Sequence, residues 1–169
     1  NDNKNLNIRK KKINQNIKGW HKIGDYALKK GIKYILWEPM SISRELGETI
    51  EKCEELNYLV NKNSPLPFKL CLDVDHGDLS SKNPNDINPY YWLKRFGLES
   101  PVIHLKQSLK NKGGHWPFTK EYNNQGNIVP EKIISLLKNI GVKDCDLILE
   151  LSFREREPWD STIEKVLKE

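Results

Sequence analysis

The stretch KLCLDVDH, residues 69–76, reads as an apolar strand that runs into a polar cluster. Leu70 and Leu72 alternate with Cys71 and Asp73, and Asp75 and His76 follow directly. Side chains two apart share a strand face, so Cys71 and Asp73 point one way and the two leucines the other. Three further stretches have the same form. YILWEP, residues 34–39, ends at Glu38; VIHLKQ, residues 102–107, carries His104 and Lys106; LILELS, residues 147–152, ends at Glu150 and Ser152. By the same alternation Leu36 lies with Glu38, His104 with Lys106, and Ile148 with Glu150 and Ser152.

Helical patterns separate these strands. Ile13, Ile17, Trp20, Ile23, Ala27 and Leu28 predict an amphipathic helix over residues 9–30, closed by Gly31, before a strand at 34–37. Ile50, Cys53, Leu56, Leu59 and Val60 form a second helical face, residues 64–67 a break, and residues 69–74 the second strand. Asn88 and Pro89 are a cap and first-turn pair for a helix with Trp92, Leu93 and Phe96, stopped by Gly97 ahead of a strand at 102–105. Pro130 opens a helix with Ile133, Ile134, Leu137 and Ile140 that Gly141 ends, and a strand at 147–151 follows. Asp160 or Ser161 is expected to cap a last helix carrying Ile163, Val166 and Leu167. The order αβαβαβαβα predicts a parallel sheet with helices outside it, as either a barrel or a doubly wound sheet, because parallel strands need crossover connections.

Connections from helix to strand are short, such as Gly31 with Ile32, whereas those from strand to helix are long, above all 107–129. Long loops after the strands are where α/β proteins keep their sites, and Glu38, Asp73, His104 and Glu150 all lie at that end. Each is separated from the next by one strand-helix unit, the extra length of the last interval lying in its loop. Four successive units that each donate one ligand suit a barrel better than an open sheet.

The composition is that of a folded domain: 169 residues, 37% hydrophobic and 30% charged. A net charge of +5 is read as a solvated surface, so a nucleic-acid partner is not expected. Cys53, Cys71 and Cys145 form no CxxC pair and leave an odd count, which fits a reducing cytoplasm. No apolar stretch approaches the ~20 residues of a membrane helix, so no membrane partner is expected. The chain opens on Asn and a polar, Asn-rich stretch, which reads as a sequence cut from a longer chain.

Taken singly, each polar strand end has a plain structural reading. Glu38 before Pro39 is a solvent-facing acid, Asp73 or Asp75 a turn former, His104 a satisfied interior histidine, and Glu150 a partner for Arg154 or Arg156. Taken together, an Asp, a His and two Glu at the same end of four consecutive strands point to one divalent metal ion. A carboxylate-rich set with one imidazole suits Mn²⁺, Mg²⁺ or Co²⁺ at least as well as Zn²⁺. The loop GGHWPF, residues 113–118, reads either as a mobile lid, with His115 as a substrate contact, or as an aromatic anchor for a long connection.

The segments WEPMSISRE, KLCLDVDHGD, VIHLKQS and ILELSFREREP resemble the second half of the xylose-isomerase-like TIM barrels, which include sugar and sugar-phosphate isomerases and epimerases. The resemblance spans nearly the whole chain, and its strongest motif is the D-x-x-H of Asp73 and His76. It implies that residues 1–169 are the C-terminal half of a single TIM-barrel domain, strands five to eight only. It further implies one divalent cation on Glu38, Asp73, His104 and Glu150, with Glu38 and Glu150 also serving as the acid/base pair on the two faces of the substrate. The implied reaction is proton transfer through a metal-stabilised enediolate, with His76 bonded to substrate oxygens. Where the sugar epimerases carry an acid and an arginine, this chain has Arg44 and Lys110. In their place it offers Lys106, Arg154 and Arg156 near the expected mouth, cations that suit a phosphorylated sugar. The strings SFRERE, EPM and GHWPFT are similar to the tetrulose-phosphate epimerases of the family.

Two other readings stand beside the epimerase. An apurinic-site endonuclease would gather several zinc ions through many histidines, and only His21, His76, His104 and His115 are present. A non-catalytic partial barrel would leave two open sheet edges, which invite pairing with a missing N-terminal half or with a second copy.

Overall fold

The computed structural model describes residues 5–110, 113–152 and 159–167. Helix α1 (Leu6–Lys29) starts earlier than periodicity predicts because the Asn5 side chain accepts from the N–H groups of Asn7 and Ile8. Strand β1 (Ile35–Trp37) and helix α2 (Ile50–Asn61) follow, the helix capped by Thr49. Strand β2 (Phe68–Asp73) precedes helix α3 (Pro89–Phe96), where Asn88 caps and Pro89 opens the first turn as expected. Strand β3 (Val102–Leu105) matches its expected bounds. Helix α5 (Pro130–Asn139), strand β6 (Asp146–Leu149) and helix α6 (Trp159–Leu167) complete the outer pattern.

Two expectations need correction. Residues 107–129 are not a plain loop: β4 (Gln107–Leu109) and β5 (Gly113–Trp116) pair antiparallel, and a short helix, α4 (Lys120–Asn123), follows. The Gln107 side chain organises this segment from inside. Its carbonyl accepts from the N–H groups of Ser108 and Ile128, and its amide donates to Asn123 and to the carbonyl of Ile128. Helix α6 also begins at Trp159, so Asp160 and Ser161 sit in its first turn instead of capping it.

Among the described residues the main sheet is parallel throughout, in the order β1-β2-β3-β6. Leu70 and Leu72 face the helices, where Cys53, Leu56 and Val60 of α2, Leu93 and Phe96 of α3, and Ile133 and Leu137 of α5 join them in one core. The opposite face carries Cys71 and Asp73. Register then aligns the polar ends: Asp73 pairs with His104, His104 with Ile148, and the Glu150 N–H donates to the Leu105 carbonyl at 2.9 Å. Glu150 therefore stands just beyond β6, level with the end of β3. At the outer edges, Leu36 of β1 and Leu147, Ile148 and Leu149 of β6 remain between 36% and 47% exposed. Among the described residues no further strand pairs with these edges.

The segment after β2 is clamped to the start of α2. Buried Asp86 accepts from the Ile50 N–H at 3.0 Å and from the Ser81 hydroxyl at 2.6 Å, while its carbonyl accepts from the Trp92 indole at 2.9 Å. The Asp78 N–H donates to the carbonyl of Glu48. Glu48 is itself fully buried and paired with Arg9 of α1 and Lys52 of α2. Gly77 threads this clamp, and a Cβ there would lie 1.8 Å from the Asp86 carbonyl oxygen.

Two measurements check this packing. Leu72→Ala removes a side chain that is 1% exposed, and chemical denaturation should show a loss of about 2–5 kcal/mol. Gly77→Ala cannot be relieved by a side-chain rotation, because the clash is with backbone, so it should cost at least as much as the ~1–3 kcal/mol typical of overpacking. A Gly77→Ala protein as stable as the parent would contradict the clamp.

Candidate metal centre

Parallel strands deliver the four acidic and imidazole side chains to one place. Glu38 leaves β1, Asp73 ends β2, His104 lies in β3 and Glu150 follows β6, and one ligand atom from each lies within 4.8 Å of all the others. A cation bonded at about 2.1 Å to each atom would hold opposite ligands about 4.2 Å apart, so the set needs only a small closure. His104 Nδ1 lies 3.6 Å from Glu38 Oε1 and 3.5 Å from Glu150 Oε2. Three of the converging atoms, Glu38 Oε1, Asp73 Oδ2 and His104 Nδ1, are buried and make no hydrogen bond. Two of the three have ion-pair partners, Asp73 Oδ2 with Lys106 at 2.7 Å and Glu38 Oε1 with His76 at 3.1 Å, and the converging donors are of the kind that could hold a cation.

A second trio, Glu38, Cys71 and His104, overlaps the first. Cys71 Sγ lies 3.3 Å from His104 Nε2, on the other side of the imidazole from the carboxylates. Burial pushes the Cys71 thiol up to about 11, and the charges of Glu38, Asp73 and Glu150 add to the rise. The carboxylate set offers four ligands from four elements and the thiol set three, so the carboxylate set is the fuller fit. The arrangement suits a histidine that gives Nδ1 to a cation and points its Nε2 proton at sulfur.

His76 is drawn in by the D-x-x-H spacing. Its Nδ1 is 3.1 Å from Glu38 Oε1 and 3.1 Å from the Pro39 carbonyl, and its Nε2 is 3.7 Å from Asp73 Oδ2. Burial works against charge on both members of the Glu38–His76 pair. Their mutual attraction outweighs it, with Asp73 also favouring the imidazolium, so Glu38 is held below the usual carboxylate range and His76 is raised.

Lys106 occupies a position that spacing alone does not disclose. It shares the face of His104, as alternation requires, yet is only 1% exposed. Its Nζ lies 2.7 Å from Asp73 Oδ2, an ion pair set off the hydrogen-bond direction. The same ammonium is 3.3 Å from Glu150 Oε2, 3.5 Å from His76 Nε2 and 3.2 Å from His115 Nδ1.

His115 joins the cluster, 3.6 Å from Glu150 Oε2, and its loop is ordered by pairing and stacking. Gly113 and Gly114 belong to strand β5, and the Trp116 ring stacks on Tyr122 at 4.8 Å while its indole N–H donates to the Gly113 carbonyl. The aromatic anchor accounts for these contacts. Elsewhere, Arg44 is 75% exposed beside Glu45, and His21 bonds to the Val60 carbonyl in the α1–α2 packing. Arg154 and Arg156 lie outside the described residues. No helix among the described residues is long and apolar enough to cross a membrane.

No family model matches the chain. A D-erythrulose 1-phosphate 3-epimerase from Brucella abortus is 45% identical over 145 residues, which cover 85% of this chain and 47% of that protein. The chain thus spans about half the length of the curated relative it matches. In three dimensions it superposes on the crystal structure of a Rhodospirillum rubrum protein assigned as a xylose isomerase, with a TM-score of 0.86 at 16% identity, over 99% of this chain and 55% of that one. By sequence the chain is similar to a sugar-phosphate epimerase, and by fold to a xylose-isomerase-like TIM-barrel protein, as its strand-end motifs indicate.

Proposed function

We propose that the chain is the C-terminal half of a TIM-barrel domain, strands five to eight, from a divalent-metal-dependent epimerase or isomerase of a small ketose phosphate. The observation that carries the reading is the convergence of Glu38, Asp73, His104 and Glu150, with one ligand atom of each within 4.8 Å of the others. The half-barrel is supported by the exposed apolar edges at Leu36 and at Leu147 to Leu149. It is also supported by the share of each comparison protein that the chain spans. The relative's name makes erythrulose 1-phosphate the first substrate to test, with its carbon 3 as the reacting centre.

In this reading Glu38, Asp73, His104 and Glu150 hold one Mn²⁺, Mg²⁺ or Co²⁺. When bound, the ion supplies Lewis-acid polarisation of the substrate carbonyl and steadies the enediolate oxygens. The protein's own groups do the proton work. One of Glu38 and Glu150 removes the proton beside the carbonyl, and the other returns a proton from the opposite face, which inverts the carbon. His76 holds a sugar oxygen. The ion pair it makes with Glu38 keeps that carboxylate ionised and aimed. Lys106 contacts a second substrate oxygen, and Arg154 takes the phosphate through its planar pair of donors.

In the complete protein, deuterium exchange at carbon 3 of erythrulose 1-phosphate in D₂O with Mn²⁺ should fall by about 10²–10⁴ in Glu150→Gln, the range for losing a general acid or base. Unchanged exchange would overturn the two-glutamate mechanism. Asp73→Ala combined with His104→Ala should abolish Mn²⁺ binding in titration calorimetry, and retained tight binding would overturn the metal assignment.

A further inference from the structure

We propose that Lys106 is an internal counter-ion that occupies the carboxylate cluster until the divalent cation arrives, so that metal binding is an exchange of one cation for another. The inference rests on the four-ligand metal reading and adds to it what the chain does before loading.

Three carboxylates, Glu38, Asp73 and Glu150, bring oxygen atoms into one cluster. Asp73 is 1% exposed, so water does little to screen it. Such a group of like charges needs a positive partner in the folded state. Lys106 supplies it: its ammonium is 2.7 Å from Asp73 Oδ2 and 3.3 Å from Glu150 Oε2, touching two of the four converging residues. The nearby histidines are engaged differently. His76 directs Nδ1 to Glu38 and the Pro39 carbonyl, and His115 lies against Lys106 and Glu150.

The Asp73 contact is the revealing one. Lys106 lies within ion-pair distance of Oδ2 but off the hydrogen-bond direction, and the other Asp73 oxygen, Oδ1, accepts from the Asp75 N–H at 2.8 Å. Oδ1 is fixed by backbone, and Oδ2 is left for an exchangeable cation. A lysine stem has four rotatable bonds, so the ammonium can withdraw from Oδ2 without backbone movement. His115 Nδ1 and Nε2 lie 3.2 and 3.3 Å from the ammonium. Displacement also frees a buried ammonium beside the metal mouth at the moment a substrate oxygen can use it.

The test measures metal binding and apo stability, not turnover. Mn²⁺ affinity is measured by calorimetry without substrate, and thermal midpoints are taken in chelator and in saturating Mn²⁺, for the complete protein and its Lys106→Met variant. Exchange predicts that the variant binds Mn²⁺ at least about tenfold more tightly, because a positive charge a few ångströms from the ion has been removed. It also predicts a lower midpoint than the parent in chelator and a deficit that vanishes in Mn²⁺. Unchanged affinity, or an equal deficit with and without Mn²⁺, would overturn the exchange and leave Lys106 as a substrate contact or a structural group. Absence of Mn²⁺ binding in both proteins would overturn the four-ligand reading as well. Should Lys106→Met fail to fold, Lys106→Gln, which keeps a polar end without charge, is read by the same criteria.

Discussion

Three carboxylates held together at the ends of parallel strands are the constraint around which this molecule is organised. Glu38, Asp73 and Glu150 repel one another, yet β1, β2 and the segment after β6 bring them within reach of one cation. The core makes that possible. Leu70 and Leu72 are buried against α2, α3 and α5, and because side chains alternate along β2, anchoring the leucines on one face forces Cys71 and Asp73 onto the other. Burial of the apolar face therefore turns into precise placement of the polar one. Positive groups then gather around the carboxylates: Lys106 against Asp73 and Glu150, and His76 against Glu38.

The loops that follow the strands are stiffened by buried polar groups rather than by apolar packing. Asp86 ties the segment after β2 to the first turn of α2, and Gln107 ties the segment after β3 to residue 128. A buried carboxylate or amide with all its partners in place rigidifies strongly, since any movement leaves a desolvated group unsatisfied. His76 and His115 stand on these two segments, so their positions inherit that stiffness. Cys71 supports the site from the far side, against His104 Nε2, leaving Nδ1 to the carboxylates.

Much of this was legible in the sequence, for identifiable reasons. The strand-end residues Glu38, Asp73, His104 and Glu150 could be read from alternation and from one polar group per strand-helix unit, both consequences of parallel topology. Asn88 with Pro89 and the glycines after α1 and α5 marked helix ends because their conformational demands are local. What could not be read depended on long-range packing. The depth of Lys106 follows from how β2, β3 and the β4–β5 hairpin close around it, and the hairpin is set by Gln107 reaching to Ile128. The aromatic loop suggested a lid because Gly113 and Gly114 permit motion, but Trp116 stacked on Tyr122 uses the same residues as an anchor. The exposure of Leu147, Ile148 and Leu149 reflects the place of β6 at the edge of the sheet.

The central claim is that a single cation belongs between the four strand-end side chains. Anomalous diffraction from Mn²⁺-soaked crystals tests it most directly. The account predicts one strong peak bonded to Glu38, Asp73, His104 through Nδ1, and Glu150, with Cys71 outside bonding distance. A peak bonded to Cys71 and His104 Nε2, or no peak among these residues at saturating Mn²⁺, would contradict it.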